Sequence, residues 1–201
     1  MTAETTDAIA QIVFYGVMGC WCLFAVVFLL RKRPARGTKT RSDWKAMVGM
    51  AIQGTGYAIV WFLPLRRVPL GAVVAMPRTA EIALGGITIA MALASVWMVN
   101  AAIRELGTHW ALAARLVEGH KLIMSGPYRL VRNPIYTGML GMLIATGLAV
   151  TKWQALLAAI AVFLAGTWLR VRVEERLLRG QFGAEFDEYT RRVPAVIPGI
   201  W

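Results

Sequence analysis

Charge is what this sequence has least of. Of its 201 residues only 16% are Asp, Glu, Lys or Arg, against about 25% in an ordinary soluble domain, while 58% are hydrophobic. So short a chain has too little interior to hide its long uncharged runs. The soluble-globule class is therefore excluded, and the mean hydropathy of +0.57 is assigned to membrane spans. Cysteine is nearly absent. Cys20 and Cys22 share the first apolar run with no His or acid beside them, which excludes a disulfide framework and a zinc ligand set and leaves both as small apolar core residues. No strand leads into a G-x-G-x-x-G turn, so a Rossmann-type cofactor domain is excluded. Acidic residues are scarce too, 11 against 22 basic, for a net charge of +11. In a soluble protein that excess would suggest nucleic acid. Here the basic residues gather between and at the ends of apolar runs, with no basic–aromatic interleaving, so no nucleic-acid partner is expected.

What is present is a set of spans. Residues 9–30 give 22 uncharged positions, enough to cross roughly 30 Å of hydrocarbon at about 1.5 Å per residue. Glu4 and Asp7 precede this run where a secretory leader carries basic residues, and no A-x-A cleavage site closes it before the basic loop that starts at residue 31, so it is expected to stay in the mature protein. Further spans are expected at about 46–63, 82–103, 135–150 and 153–169, making an all-α integral membrane protein with five transmembrane helices and one membrane domain over 1–201. The stretch LPLRRVPLGAVVAMPRTAE between spans two and three is punctuated by proline and is expected at the membrane interface. Only Thr151 and Lys152 separate the last two spans, which predicts a tight antiparallel hairpin, and Gly138, Gly141, Gly147 and Gly166 are read as close-packing positions.

The chemistry has to lie in three polar segments: 119–138, 170–176 and 182–199. Gly119, Gly126, Pro127 and Pro134 prevent the first from being one regular helix, so its free backbone groups at the membrane surface outline a ligand-binding loop. Asn133 and Pro134 also suit the N-cap and first position of the next helix, and the two roles are compatible. Arg170 and Glu174, spaced i, i+4, share a helix face. Arginines at 170, 172 and 176 either snorkel to the surface or turn inward to a ligand. Glu174 and Glu175 reach less far, so one of them is the better candidate for holding a cationic group.

The run from His120 to Gly138, the Glu174–Glu175 pair and the tail F-G-x-E-F-x-x-Y-x-x-x-V-P-x-x-I-P resemble the isoprenylcysteine carboxyl methyltransferase family, which is related more loosely to membrane phospholipid N-methyltransferases. The resemblance covers roughly the last 95 residues, with a core at about 104–201. It implies an integral-membrane enzyme that takes S-adenosylmethionine and releases S-adenosylhomocysteine, the cofactor lying between the loop, the start of span four and the exit of span five. Carried over position by position, His120, Lys121, Leu122, Ile123, Tyr128, Asn133, Pro134, Ile135, Tyr136 and Glu174 would bind the cofactor, Glu174 through its amino group. Arg170 would contact the substrate, with Arg132 beside it as part of the catalytic signature, and no metal is implied. The eukaryotic pattern has R-H-P where this chain has Arg132-Asn133-Pro134. An asparagine keeps hydrogen bonding but does not titrate near neutral pH, which leaves the acceptor open.

Methyl transfer from a sulfonium cation to a carboxylate loses charge on the way to the transition state, so a dry site assists it if Arg170 and Glu174 hold the charged partners in line. A carboxylate acceptor needs no general base. An ammonium must first lose a proton, for which His120 or Glu175 would serve. The expected partners are a lipophilic or lipidated acceptor and membrane lipid. The alternatives are a phospholipid ethanolamine N-methyltransferase and a non-catalytic scaffold or carrier.

With five spans the basic residues divide 18 to 4 between the two sides. The more basic side is cytoplasmic by the positive-inside rule, which places the C terminus and active site on the cytoplasmic face of the cell or inner membrane and the N terminus outside. Reporter fusions at the two ends should report opposite compartments; one shared compartment would refute this topology.

Overall fold

The computed structural model describes residues 3–30, 44–63, 76–107 and 122–199. Among these residues the chain forms six α-helices and no strand: α1 (Ala3–Leu29), α2 (Trp44–Phe62), α3 (Arg78–Leu106), α4 (Pro134–Val150), α5 (Trp153–Phe182) and α6 (Ala184–Arg192). A 3-10 turn at Gly126–Arg129 precedes α4. The segments Ala8–Leu29, Arg78–Leu106 and Trp153–Phe182 are long and apolar enough to cross a membrane, and Pro134–Val150 is a shorter apolar helix. Large apolar side chains on these helices point outward, among them Tyr15, Leu23, Ile87, Leu93, Trp97 and Leu157. A water-soluble fold would bury such a surface; a lipid-facing one has no reason to.

The bundle is held by two long pairings, α2 along α5 and α3 along α4, with α1 laid against α3. Val17, Val60, Val99, Leu143 and Phe163 meet in the core. The side chain of Cys20 joins them, whereas Cys22 is exposed, because residues two apart on a helix point to nearly opposite sides. Only one of the two cysteines is therefore a core residue. Two polar side chains inside the bundle bond across it: Trp21 Nε1 donates to Thr146 Oγ1 at 2.9 Å, and the Tyr57 hydroxyl to the Met139 carbonyl at 2.7 Å.

Two residues, Thr151 and Lys152, join α4 to α5 as expected, and Leu156 lies against Gly147 at the turn. Beyond the turn α5 leaves α4 and follows α2. Gly138 sits against Val99 and the Ser95 carbonyl, and Gly141 against the Ser95 hydroxyl, so the close-packing reading of these glycines holds. A crossing at backbone contact joins Gly49 to Gly166. A Cβ on Gly166 would lie 2.7 Å from the Gly49 carbonyl oxygen, and one on Gly49 would lie 2.6 Å from Arg170 Cγ.

α5 runs on to Phe182, 13 residues past the expected exit at 169, so the Arg170–Arg176 stretch is continuous helix. It ends at Gly183, whose φ of 52° lets the chain turn directly into α6. α6 buries Phe186 and Tyr189 on one face and leaves its charged residues outside.

Gly49→Val should force α2 and α5 apart, costing about 1–3 kcal/mol and lowering the thermal midpoint in detergent by several degrees. Gly54→Ala, where a Cβ meets nothing within 4 Å, should not lower it. Equal midpoints for the two variants would contradict the crossing.

Candidate functional site

Two polar clusters sit side by side where α4 begins and the second half of α5 passes it. The first lies between helices. Tyr136, in the first turn of α4, donates its hydroxyl to Glu174 Oε1, and Arg170 Nη2 reaches the same oxygen at 3.4 Å. The Arg170 guanidinium also lies over the Tyr136 ring, 5.0 Å from its centre, a cation–π contact in desolvated surroundings. Arg170 is buried, whereas the Glu174 side chain stays 22% exposed. Arg170 thus turns inward. Arg172 and Arg176 stay outside, and Arg172 stacks on the Trp168 ring at 4.7 Å, which is the surface-seeking alternative.

The second cluster straps the tail to the loop. Arg132 grips Glu175 with Nε at 2.9 Å and Nη2 at 2.8 Å, and its Nη1 donates to the carbonyls of Val193 and Thr190. The backbone N–H groups of Arg132 and Asn133 donate to Pro194 and Ala195 at 2.8 and 2.9 Å. Thr137 Oγ1 donates to the Val196 carbonyl at 2.6 Å. Asn133 occupies the N-cap position with Pro134 following, yet its side chain makes no capping bond. Its Nδ2 donates to the Ala195 carbonyl at 3.1 Å instead. Turning the NH2 to that carbonyl fixes the amide's orientation, and its oxygen, the atom a cap would use, makes no bond to the helix N–H groups.

Tyr128 links the clusters. It is buried in the 3-10 turn, and its carbonyl accepts the Tyr189 hydroxyl at 2.6 Å. Burial pushes its hydroxyl far above the ordinary tyrosine value, with Tyr189, Glu174 and Glu105 adding to the rise, so it is a neutral hydroxyl at any working pH. Tyr189 is raised likewise, chiefly by burial, against the opposing charge of Arg132.

Of the residues expected at the site, Tyr136, Arg170 and Glu174 come together here, and Tyr128 lies in the 3-10 turn before α4, held by Tyr189. Asn133, Pro134 and Ile135 form the adjoining start of α4, Pro134 buried and Ile135 half-buried. Arg132 stands beside them with its guanidinium engaged by Glu175 and the tail. Leu122 and Ile123 are half-buried residues leading into the turn, and His120 and Lys121 lie outside the described residues. Among the described residues no three His, Cys, Asp or Glu side chains group to hold a metal ion.

Gln53 was not anticipated. It comes from α2, is 2% exposed, and accepts a hydrogen bond from Arg170 Nη1 at 3.2 Å. The available signal was an uncharged but strongly polar residue in the middle of an expected span.

The family model for phospholipid methyltransferases matches residues 80–185. The chain is 32% identical over 156 residues to the cobalt-zinc-cadmium resistance protein CzcN of Cupriavidus metallidurans, covering 73% of this chain and 70% of that protein. It is 34% identical over 116 residues to the nickel-cobalt-cadmium resistance protein NccN of Alcaligenes xylosoxydans xylosoxydans, 56% of this chain and 53% of the relative. Over 86 residues it is 32% identical to protein-S-isoprenylcysteine O-methyltransferase B of Arabidopsis thaliana, 43% of this chain and 44% of the plant protein.

Removing Arg132 should leave Glu175 and two tail carbonyls without their donor. Arg132→Ala should therefore lose about 3 kcal/mol of stability and open the 193–199 segment to protease, with Glu175→Gln intermediate. Unchanged protection of the tail would contradict the strap.

Proposed function

Because the chain belongs to the phospholipid methyltransferase family and is isoprenylcysteine methyltransferase-like, we propose that it is an integral-membrane, S-adenosylmethionine-dependent methyltransferase acting on a lipophilic acceptor, with a carboxylate as the preferred nucleophile. The observation that carries this reading is the Tyr136–Glu174–Arg170 cluster: a partly exposed carboxylate and a buried guanidinium, opposite in charge and in contact, at the end of an apolar bundle. Bound S-adenosylmethionine supplies a methyl group activated by a sulfonium centre.

The residues present fit that group. Glu174 keeps an exposed face for a cationic amino group, held in place from behind by Tyr136 and Arg170. Tyr128, neutral and buried, offers a hydroxyl without charge beside it. By the family resemblance Asn133, Pro134 and Ile135 at the start of α4 would contact the cofactor, and His120, Lys121, Leu122 and Ile123 would complete its contacts. Arg170 receives the acceptor's negative charge, which is the step for which a guanidinium is better suited than a lysine. Arg132 contributes by holding the tail and Glu175 in place beside the site. With Glu175 engaged by Arg132, the residues at hand favour an acceptor that needs no general base over an ammonium group.

Five crossings, with α2 and α4 as the second and fourth, one membrane domain with its methyltransferase core at about 104–201, an outside N terminus and a cytoplasmic site follow from the same reading. A soluble cofactor then reaches the site from the cytoplasm while the acceptor arrives within the bilayer. What the plant relative's name says of prenylated cysteine extends to this chain as a prenylcysteine-like acceptor.

Glu174→Gln should weaken S-adenosylhomocysteine binding in detergent, measured by calorimetry, at least about tenfold, the value of one charge-assisted contact. Arg170→Ala should lose methyl transfer while keeping most of that affinity. In membranes given labelled cofactor, label should enter a base-labile ester. Label in phosphatidylethanolamine derivatives would establish the N-methyltransferase instead, and absence of both transfer and binding would leave a non-catalytic scaffold or carrier.

A further inference from the structure

Gln53 lies on α2, outside the residues that the family model matches. A primary amide that is 2% exposed among apolar helices is tolerated only when both of its ends are satisfied. Both are. Nε2 donates to Thr167 Oγ1 at 2.8 Å, and Oε1 accepts from Arg170 Nη1 at 3.2 Å. The orientation of the amide is not free. The Thr167 hydroxyl spends its proton on the Phe163 carbonyl at 2.9 Å, so it offers Gln53 an acceptor, and the amide must turn its NH2 to Thr167 and its oxygen to Arg170. The close crossing at Gly49 and Gly166 lets so short a side chain reach.

Arg170 is thereby drawn in two directions. One nitrogen is held by Gln53, and the other stands 3.4 Å from Glu174, longer than the 2.7–2.9 Å of a closed charge-assisted bond. We propose that Gln53 is a positioning residue, which holds Arg170 over the Tyr136 ring and restrains it from closing onto Glu174, so that the carboxylate stays available to a cationic ligand group and the guanidinium to an anionic one. The proposal rests on the methyltransferase reading and deepens it by making α2 part of the site. Loss of the amide oxygen removes one of the contacts that hold Arg170 back from Glu174, and the guanidinium then shifts toward a closed pair with that carboxylate. That pair competes with any ligand needing either charge.

The test is S-adenosylhomocysteine binding to the full-length protein in detergent, in two backgrounds. Gln53→Leu should weaken binding about five- to tenfold, and Gln53→Glu, which keeps an oxygen facing Arg170, should stay within about threefold of the parent. In an Arg170→Ala background Gln53→Leu should cost nothing further, because the group it restrains is gone. Equal losses in both backgrounds would show that Gln53 only supports packing and would overturn the proposal, as would unchanged binding by Gln53→Leu. If Gln53→Leu fails to fold, Thr167→Val removes the acceptor that orients the amide and should weaken binding in the same background-dependent way; an effect independent of Arg170 overturns the proposal there too. Failure of the parent protein to bind at all would instead remove the methyltransferase reading beneath it.

Discussion

A carboxylate and a guanidinium brought to the end of an apolar bundle have to be compensated there, because taking either charge out of water alone costs several kcal/mol. Arg170 and Glu174 meet this requirement jointly. The ring and hydroxyl of Tyr136, the amide of Gln53 and the hydroxyl of Thr167 extend the pair into a chain of contacts from α2 through α5 to α4. This pair dictates much of the surrounding architecture. α5 must continue as helix past residue 170 to keep Glu174 on the face of Arg170, α2 must approach α5 to backbone contact, and α4 must start where its first turn can present Tyr136.

The second charge pair serves the first. Glu175 is next to Glu174 yet points to a different partner, since successive helical residues are about 100° apart. By taking Arg132 it anchors the loop before α4, and Arg132 and Asn133 then tie down the tail through the carbonyls of residues 193–195. One wall of the site is consequently made of irregular backbone whose polar groups are satisfied by another irregular segment. Such backbone is tolerated near a membrane only where protein or a water-lined cavity surrounds it.

Hydropathy was enough to find the five apolar helices, though not the charged α6, because a run of uncharged residues long enough for a membrane has few other outcomes. It bounded the span at 169, where the run of Arg and Glu begins, and the helix that was expected to carry Arg170 and Glu174 continues to Phe182, with Val171 and Val173 buried along it. The i, i+4 spacing showed that Arg170 and Glu174 share a face, but not whether that face turns inward, and preferring Glu174 to Glu175 needed the resemblance. Partners more than a hundred residues away were not legible. Gln53 looks like one polar residue in an oily span, and nothing local shows that it meets Arg170. Asn133 was legible as an N-cap by residue type, but the competing acceptor at Ala195 lies 62 positions away. Cys22 illustrates the same limit at short range, since composition places it in the core and helix geometry turns it out.

The central claim is that the mouth of α4 and the second half of α5 jointly cradle a cationic donor. Hydrogen exchange, followed peptide by peptide in detergent with and without saturating S-adenosylhomocysteine, tests it most directly. The account predicts added protection in residues 126–137 and 170–176 together. Binding that leaves both segments unchanged, or that protects only peptides elsewhere in the chain, would contradict it.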